Sequence, residues 1–376
     1  MTRDQFLLML LRAELWGTPV RPFSMQPRSC RELKDAASRQ AVTGLLCGAL
    51  TKSCRLGPQD VADTCATLDD LQRANREADH AVAMLDALLA PHAIRYVVVK
   101  GQTLAALYPH PGRRMPGDID FYVAPSDFDR ARRIIARAWS VDSFSADGQE
   151  GEDREAMSQH LAFEHDGQLF EMHHTLLSFA SARAERRFRR LLDAAPVASV
   201  CVGGRDVPVL PEVLSVVYTF LHLYRHLLEL GVGLRQFCDF AVLLDHYSRR
   251  ARPADNEQLR HVLRWLGFEH AFCAAGWLCK DSLGLRVFPF PVSDADKRRA
   301  RRLLAIVLRR GNMGQHGRRH AVRSGWRYCV EQFAVKFRHA ILLFPLSPRE
   351  CLAVIGREIP LRVGQALRRA VGRRGS

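Results

Sequence analysis

Two aspartates flanking one isoleucine open an apolar run, Asp118-Ile119-Asp120-Phe121-Tyr122-Val123, and few backbone arrangements accommodate them. In an extended strand the side chains alternate, so Asp118 and Asp120 share one face while Ile119 and Phe121 share the other. Two carboxylates held this close raise one another's pKa unless a cation neutralises them. A divalent metal is the simplest remedy, and hard oxygen donors of this kind suit Mg²⁺ or Mn²⁺, which bind through one or two carboxylates plus substrate phosphates. An Asp-X-Asp alone is also a common exposed strand end, so its surroundings decide the reading.

Those surroundings are ordered. Ile94 to Val99 is an apolar, β-branched run that predicts a buried strand ending at Lys100-Gly101. Residues 102–108 predict a short helix, 109–117 a loop, and 118–123 the carboxylate strand. Two further strands are predicted at His160–Glu164 and Gln168–His174, joined by His165-Asp166-Gly167, whose Asp-Gly is a hairpin signal. On the second of these, Leu169, Glu171 and His173 share one face and Phe170, Met172 and His174 the other. If the Glu171 face turns towards Asp118 and Asp120, a third carboxylate joins the pair. His160, His173 and His174 lie close to these acids in sequence, where an imidazole can relay protons, contact phosphate or simply orient a carboxylate. With no cysteine at metal spacing, zinc is not expected here.

The strings VKG, LYPHPGRRMPGDIDFYV and FEMHH resemble an uncharacterised bacterial nucleotidyltransferase family within the DNA polymerase β-type nucleotidyltransferase superfamily. The resemblance covers about residues 94–175, with weaker similarity on both flanks. It implies an α+β fold: a polymerase β-like core of mixed sheet and helices, flanked by N- and C-terminal helical regions. It also implies a Mg²⁺ (or Mn²⁺) enzyme that uses a nucleoside triphosphate such as ATP. Asp118, Asp120 and Glu171 would be catalytic and hold metal, while Lys100, Gly101 and Gln102 would face phosphates. Arg114 is a further candidate for phosphate charge. The superfamily usually carries Gly-Ser or Gly-Gly after its first strand, whereas this chain has Lys100-Gly101-Gln102-Thr103. The resemblance also implies a sugar- or polysaccharide-related acceptor, or an antibiotic-like one.

Along the rest of the chain, residues 1–92 carry helical spacing at Phe6-Leu10-Leu11-Leu15, Val42-Leu45-Leu46-Leu50 and Ala81-Met84-Leu85-Leu88. Ser126 is the expected N-cap of a helix reaching Trp139, and residues 143–155 predict a polar loop. Helices resume over about 211–285, where His222/His226 and Arg235/Asp239 sit at i,i+4 spacing, as either a polar seam or substrate contacts. The expected organisation is a helical region 1–92, a nucleotidyltransferase core 93–210, a helical domain 211–296 and a basic amphipathic region 297–376. The ten cysteines include no Cys-X2-Cys pair and predict free thiols in a reducing cytoplasm. No run approaches the ~18 apolar residues of a membrane span, and the N-terminal apolar patch is too short for a secretory signal.

Charge is segregated. Lys297–Ser376 holds 20 Lys+Arg and three Asp+Glu, a net of +17, against +15 for the whole 376-residue chain. Val330, Phe333, Phe337, Ile341 and Phe344 form an apolar stripe beside Arg327, Lys336 and Arg338, with Trp326 nearby. Ser347-Pro348-Arg349-Glu350 then predicts a capping box. Such a region suits an anionic membrane surface, packing on the chain's own core with a solvated basic face, or an acidic partner such as RNA. The functional expectation is transfer of a nucleoside monophosphate from an NTP to an acceptor hydroxyl or amine by a cytoplasmic enzyme, peripheral to the membrane through residues 297–376. The rival readings are an inactive nucleotide-binding protein and an RNA-directed nucleotidyltransferase.

Overall fold

The computed structural model describes residues 1–146, 160–229, 231–311 and 326–361. The N-terminal region is helical, as its apolar spacing predicts: α1 (Arg3–Trp16), α2 (Pro27–Arg39), α3 (Thr43–Ser53) and α4 (Pro58–Leu89). Local chemistry sets the ends. Thr2 and Gln5 form a capping box before α1, and Gly17 closes it in the left-handed conformation. Pro58 occupies the first turn of α4, where its missing N–H costs nothing.

The carboxylate strand lies inside a five-stranded mixed sheet. Its elements are β1 (Tyr96–Val99), β2 (Ile119–Val123), β3 (Ser145–Ala146), β4 (His160–His165) and β5 (Gln168–His173), in the order β1-β2-β5-β4-β3. β2 and β5 are parallel; the other neighbours are antiparallel. Between β1 and β2 the short helix α5 spans Gly101–Ala105 and stops earlier than expected. The β4–β5 hairpin turns at Asp166 (φ 48°) and Gly167 (φ 72°), the paired positive φ values that an Asp-Gly turn supplies. Helix α6 (Phe128–Trp139) begins after Asp127 instead of Ser126; the Asp127 carboxylate accepts the Arg95 backbone N–H. The loop expected over 143–155 falls largely outside the described residues, and its described start pairs with β4 as β3.

Strand alternation divides the sheet into two faces. Ile119, Phe121, Val123, Leu161, Phe163, Phe170 and Met172 pack against Ala81, Val82, Leu85 and Leu89 of α4 and Ala131 and Ile135 of α6. Each such side chain withdraws roughly 1.5–3 kcal/mol worth of apolar surface from water, which fixes the register because a one-residue slip would turn the whole set outward. Asp120, Glu171 and His173 are thereby committed to the opposite face. A second hairpin, β6 (Ala198–Val202) and β7 (Arg205–Val209), turns at Gly203-Gly204, and Arg205 and Tyr96 both bond the Asp86 carboxylate of α4.

Residues 1–38, 42–178 and 194–216 form one unit with this sheet; residues 39–41, 179–193 and 217–376 form another. The later helices are α7 (Ala182–Ala194), α8 (Glu212–Glu229), α9 (Leu234–Arg250), α10 (Pro253–Leu266), α11 (Glu269–Leu283), α12 (Asp294–Arg310), α13 (Trp326–Leu343) and α14 (Pro348–Ala353); residues 212–216 of α8 belong to the first unit. The capping box expected at Ser347–Glu350 does not form. Ser347 Oγ bonds Tyr224 instead, and the Glu350 carboxylate accepts the backbone N–H groups of Ala180 and Ser181. Lys336, expected among the cations beside the apolar stripe, is buried and pairs with Glu229 and Glu358, which Arg225 also engages. Phe337, Ile341 and Phe344 are 46 %, 54 % and 40 % exposed, so at these positions the stripe is not core. His222 and His226 meet each other through Nε2 at 2.8 Å, as a polar pair within α8. Among the described residues no helix is long and apolar enough to cross a membrane, and the described cysteines are free.

Candidate active site

The parallel pairing of β2 with β5 places Asp120 directly beside Glu171, and Tyr122 beside His173. Asp118, one turn of the pleat before Asp120, lies just outside the strand at its more open end. The ligand oxygens of Asp118, Asp120 and Glu171 all stand within 4.8 Å of one another. Sequence alternation alone predicts the two faces, and the parallel register turns the Glu171 face to the Asp pair. His174 falls on the other face, edge-on to Phe128 of α6.

Asp120 is buried, and two side chains stand against its Oδ1: the Lys100 ammonium at 2.9 Å and the His173 imidazole Nε2 at 2.8 Å. Burial pushes the His173 imidazole pKa down, but hydrogen bonds to the carboxylates of Asp120 and Glu171 more than offset it and hold the pKa above the ordinary 6.5. Lys100 reaches Asp120 from an unusual backbone, φ 58° and ψ −146°, a region that costs a non-glycine residue about 1–3 kcal/mol. Gly101 follows at φ 47°, where a side chain would add strain. The chain thus turns sharply at the end of β1 and delivers an ammonium to the carboxylates.

The loop carrying Asp118 is pinned from below. Gly44 and Gly48 of α3 leave room for residue 113: a methyl on Gly44 would overlap the Arg113 carbonyl oxygen, and one on Gly48 would lie 2.6 Å from its guanidinium. Arg113 pairs with the buried Glu14, which Lys52 also engages at 3.0 Å. Asn75 donates to the Arg114 carbonyl at 2.8 Å. The Arg114 guanidinium is buried and donates to the Met115 carbonyl, so it is enclosed by protein. Gln102 is buried as well, with its amide committed to Asp79 (2.6 Å) and Asn75 of α4. Among the residues expected to face phosphates, Lys100 brings its ammonium to the Asp120 carboxylate.

Sequence reasoning overlooked Arg113, Glu14 and Asn75 as anchors of the Asp118 loop, because their partners are 39 to 99 residues away. It also overlooked the β6–β7 hairpin, although Gly203-Gly204 between two alternating runs is a turn signal.

A solved structure of an antigenic nucleotidyltransferase-like protein from Paracoccidioides brasiliensis is similar over 61 % of this chain and 97 % of that one, at 14 % identity and a TM-score of 0.31. No functionally curated protein matches the chain. Residues 26–284, from α2 through the carboxylate sheet to the end of α11, match the family described as uncharacterised nucleotidyltransferase. With the match spanning more than half of the sequence and enclosing Asp118, Asp120 and Glu171, the chain belongs to that nucleotidyltransferase family.

Proposed function

We propose that this protein is a metal-dependent nucleotidyltransferase. It transfers a nucleoside monophosphate from an NTP to an acceptor hydroxyl or amine and releases pyrophosphate, on a core of the polymerase β type. The observation that carries the reading is the convergence of Asp118, Asp120 and Glu171 from two parallel strands, with their oxygens within 4.8 Å. A cluster of three carboxylates is electrostatically costly, and here Lys100 supplies positive charge to it while the His173 imidazole hydrogen-bonds it. This all-oxygen set fits Mg²⁺ or Mn²⁺, and Asp118, Asp120 and Glu171 would hold the ion. When bound, the ion neutralises charge on the transferring phosphoryl group and acidifies the attacking hydroxyl.

The chain's own residues do the remaining work. Lys100, now at Asp120, would be within the site to engage a triphosphate oxygen, and the turn at Gly101 offers backbone next to it. Glu171, partly exposed beside the buried Asp120, is placed to take the acceptor proton. Fixed carboxylates and an ammonium suit phosphoryl transfer, where positioning and electrostatics carry most of the catalysis. A sugar- or polysaccharide-related acceptor follows from the family resemblance. The same reading makes the protein cytoplasmic and peripheral to an anionic membrane, supported by the exposed Phe337, Ile341 and Phe344 beside Arg338 within a segment of net +17.

Calorimetry with Mg·ATP and the other Mg·NTPs tests the site. Asp118→Asn with Asp120→Asn is expected to abolish Mg²⁺-dependent nucleotide binding while circular dichroism stays native. Glu171→Gln is expected to lower turnover far more than affinity. Wild-type Mg·NTP binding by the double variant would refute the assignment.

A further inference from the structure

A second set of donors adjoins the carboxylate triad on the same face of the sheet. His160 opens β4 and His173 closes β5; they are direct cross-strand partners, with ring centroids 4.9 Å apart. Glu171 lies between them. His160 Nε2 stands 3.6 Å from its Oε1, and His173 Nε2 stands 3.4 Å from its Oε2. On β4 the residue opposite Glu171 is Ala162, the smallest side chain of the row, which leaves the space between the two imidazoles to the carboxylate. His173 is buried and its Nδ1 has no hydrogen-bond partner, so the ring's polar anchoring runs entirely through Nε2, the atom aimed at the acids.

The spacing has a chemical meaning. Around a tetrahedral ion with bonds of about 2.0–2.1 Å, donor atoms stand roughly 3.3–3.4 Å apart. Each imidazole is already near that separation from one Glu171 oxygen, at 3.6 and 3.4 Å, and one ligand atom from each of the three residues lies within 4.8 Å of the others. Two imidazoles and one carboxylate are a poor set for Mg²⁺, which demands octahedral oxygen, and a good set for borderline first-row ions.

We propose that His160, Glu171 and His173 form a second cation site that takes a borderline divalent ion of the Mn²⁺, Co²⁺ or Zn²⁺ class, sharing Glu171 with the Asp118/Asp120 site. The proposal rests on the nucleotidyltransferase reading insofar as Glu171 also serves the carboxylate triad. It adds nitrogen donors to the oxygen donors expected on this face. Loading the site takes His173 Nε2 from Asp120, so an ion here also frees Asp120 Oδ1 from its imidazole contact and leaves it that of Lys100.

The test uses the full-length protein stripped of metal by a chelator. Co²⁺ is titrated and followed by visible absorption, and Mn²⁺ is examined by pulsed EPR for coupling to ¹⁴N; Mg·ATP binding is measured in parallel by calorimetry. The wild type is expected to give the intense visible band of low-coordinate Co²⁺ and nitrogen coupling to Mn²⁺. His160→Gln is expected to weaken Co²⁺ at least about tenfold, the lower end of what losing even an outer ligand contact costs, and to keep Mg·ATP binding. Weak six-coordinate Co²⁺ absorption with no ¹⁴N coupling in the wild type would overturn the proposal without any variant, as would Co²⁺ affinity indifferent to His160→Gln. Mg·ATP binding that survives Asp118→Asn with Asp120→Asn would instead refute nucleotidyl transfer, and the nitrogen signals would still decide the second site.

Discussion

Replacing Lys100 by methionine removes the ammonium beside Asp120 while keeping the length of the side chain and the strained backbone. The two charges are 2.9 Å apart, with the Lys100 side chain 15 % exposed and that of Asp120 3 % exposed. At an effective dielectric near 20 their direct attraction is about 6 kcal/mol, and desolvation offsets much of it. Breaking a buried pair from one side costs about 3–5 kcal/mol. His173 still faces the same oxygen at 2.8 Å, so the expected loss is about 2–4 kcal/mol. For a unit of this size that lowers Tm by about 4–16 °C. The assay is thermal unfolding in EDTA and again in Mg²⁺. An ion at Asp118/Asp120 must displace the ammonium in the wild type but meets no such competitor in Lys100→Met. Mg²⁺ should therefore raise the Tm of the variant more than that of the wild type, recovering up to about 2.7 kcal/mol at a hundredfold excess over Kd. Equal Tm values in EDTA, together with equal increments from Mg²⁺, would show that Lys100 is not the resting counter-ion of this site.

Two further outcomes follow from the second unit. Arg225 and Lys336 outweigh burial and hold the Glu358 carboxyl below its ordinary 4.5, so its contribution to stability is full above pH 4.5 and lost as pH falls through the lower folded value. Glu358→Gln should be less stable than the wild type at neutral pH, by about 1–3 kcal/mol, with the gap closing in acid; circular dichroism across pH 3–7 measures it. Phe337→Glu should reduce co-sedimentation with anionic vesicles without unfolding the protein, because Phe337 is half exposed, and high salt should weaken wild-type binding, since each apposed Lys or Arg adds roughly 1 kcal/mol. Salt-sensitive RNA binding indifferent to Phe337→Glu would favour a nucleic-acid partner instead.

What could be read from the residues in order was local. Alternation placed Asp118 and Asp120 on one face and Phe121 on the other, Asp166-Gly167 marked its hairpin, and Glu171 and His173 were separated from Met172 and His174, because a strand repeats every two residues whatever surrounds it. Charge segregation in the last eighty residues was equally plain, since it needs only counting. Tertiary structure decided which strands are neighbours. The parallel β2–β5 pairing that sets Glu171 beside Asp120 joins residues some fifty positions apart, and no local pattern specifies it. Packing likewise turned Gln102 and Arg114 inward, drew Lys336 into a buried ion-pair network, and took Ser347 and Glu350 from a helix cap to Tyr224 and Ala180. In each case a polar group chose its partner by where the apolar core left it, which is a property of the assembled elements and not of any one of them.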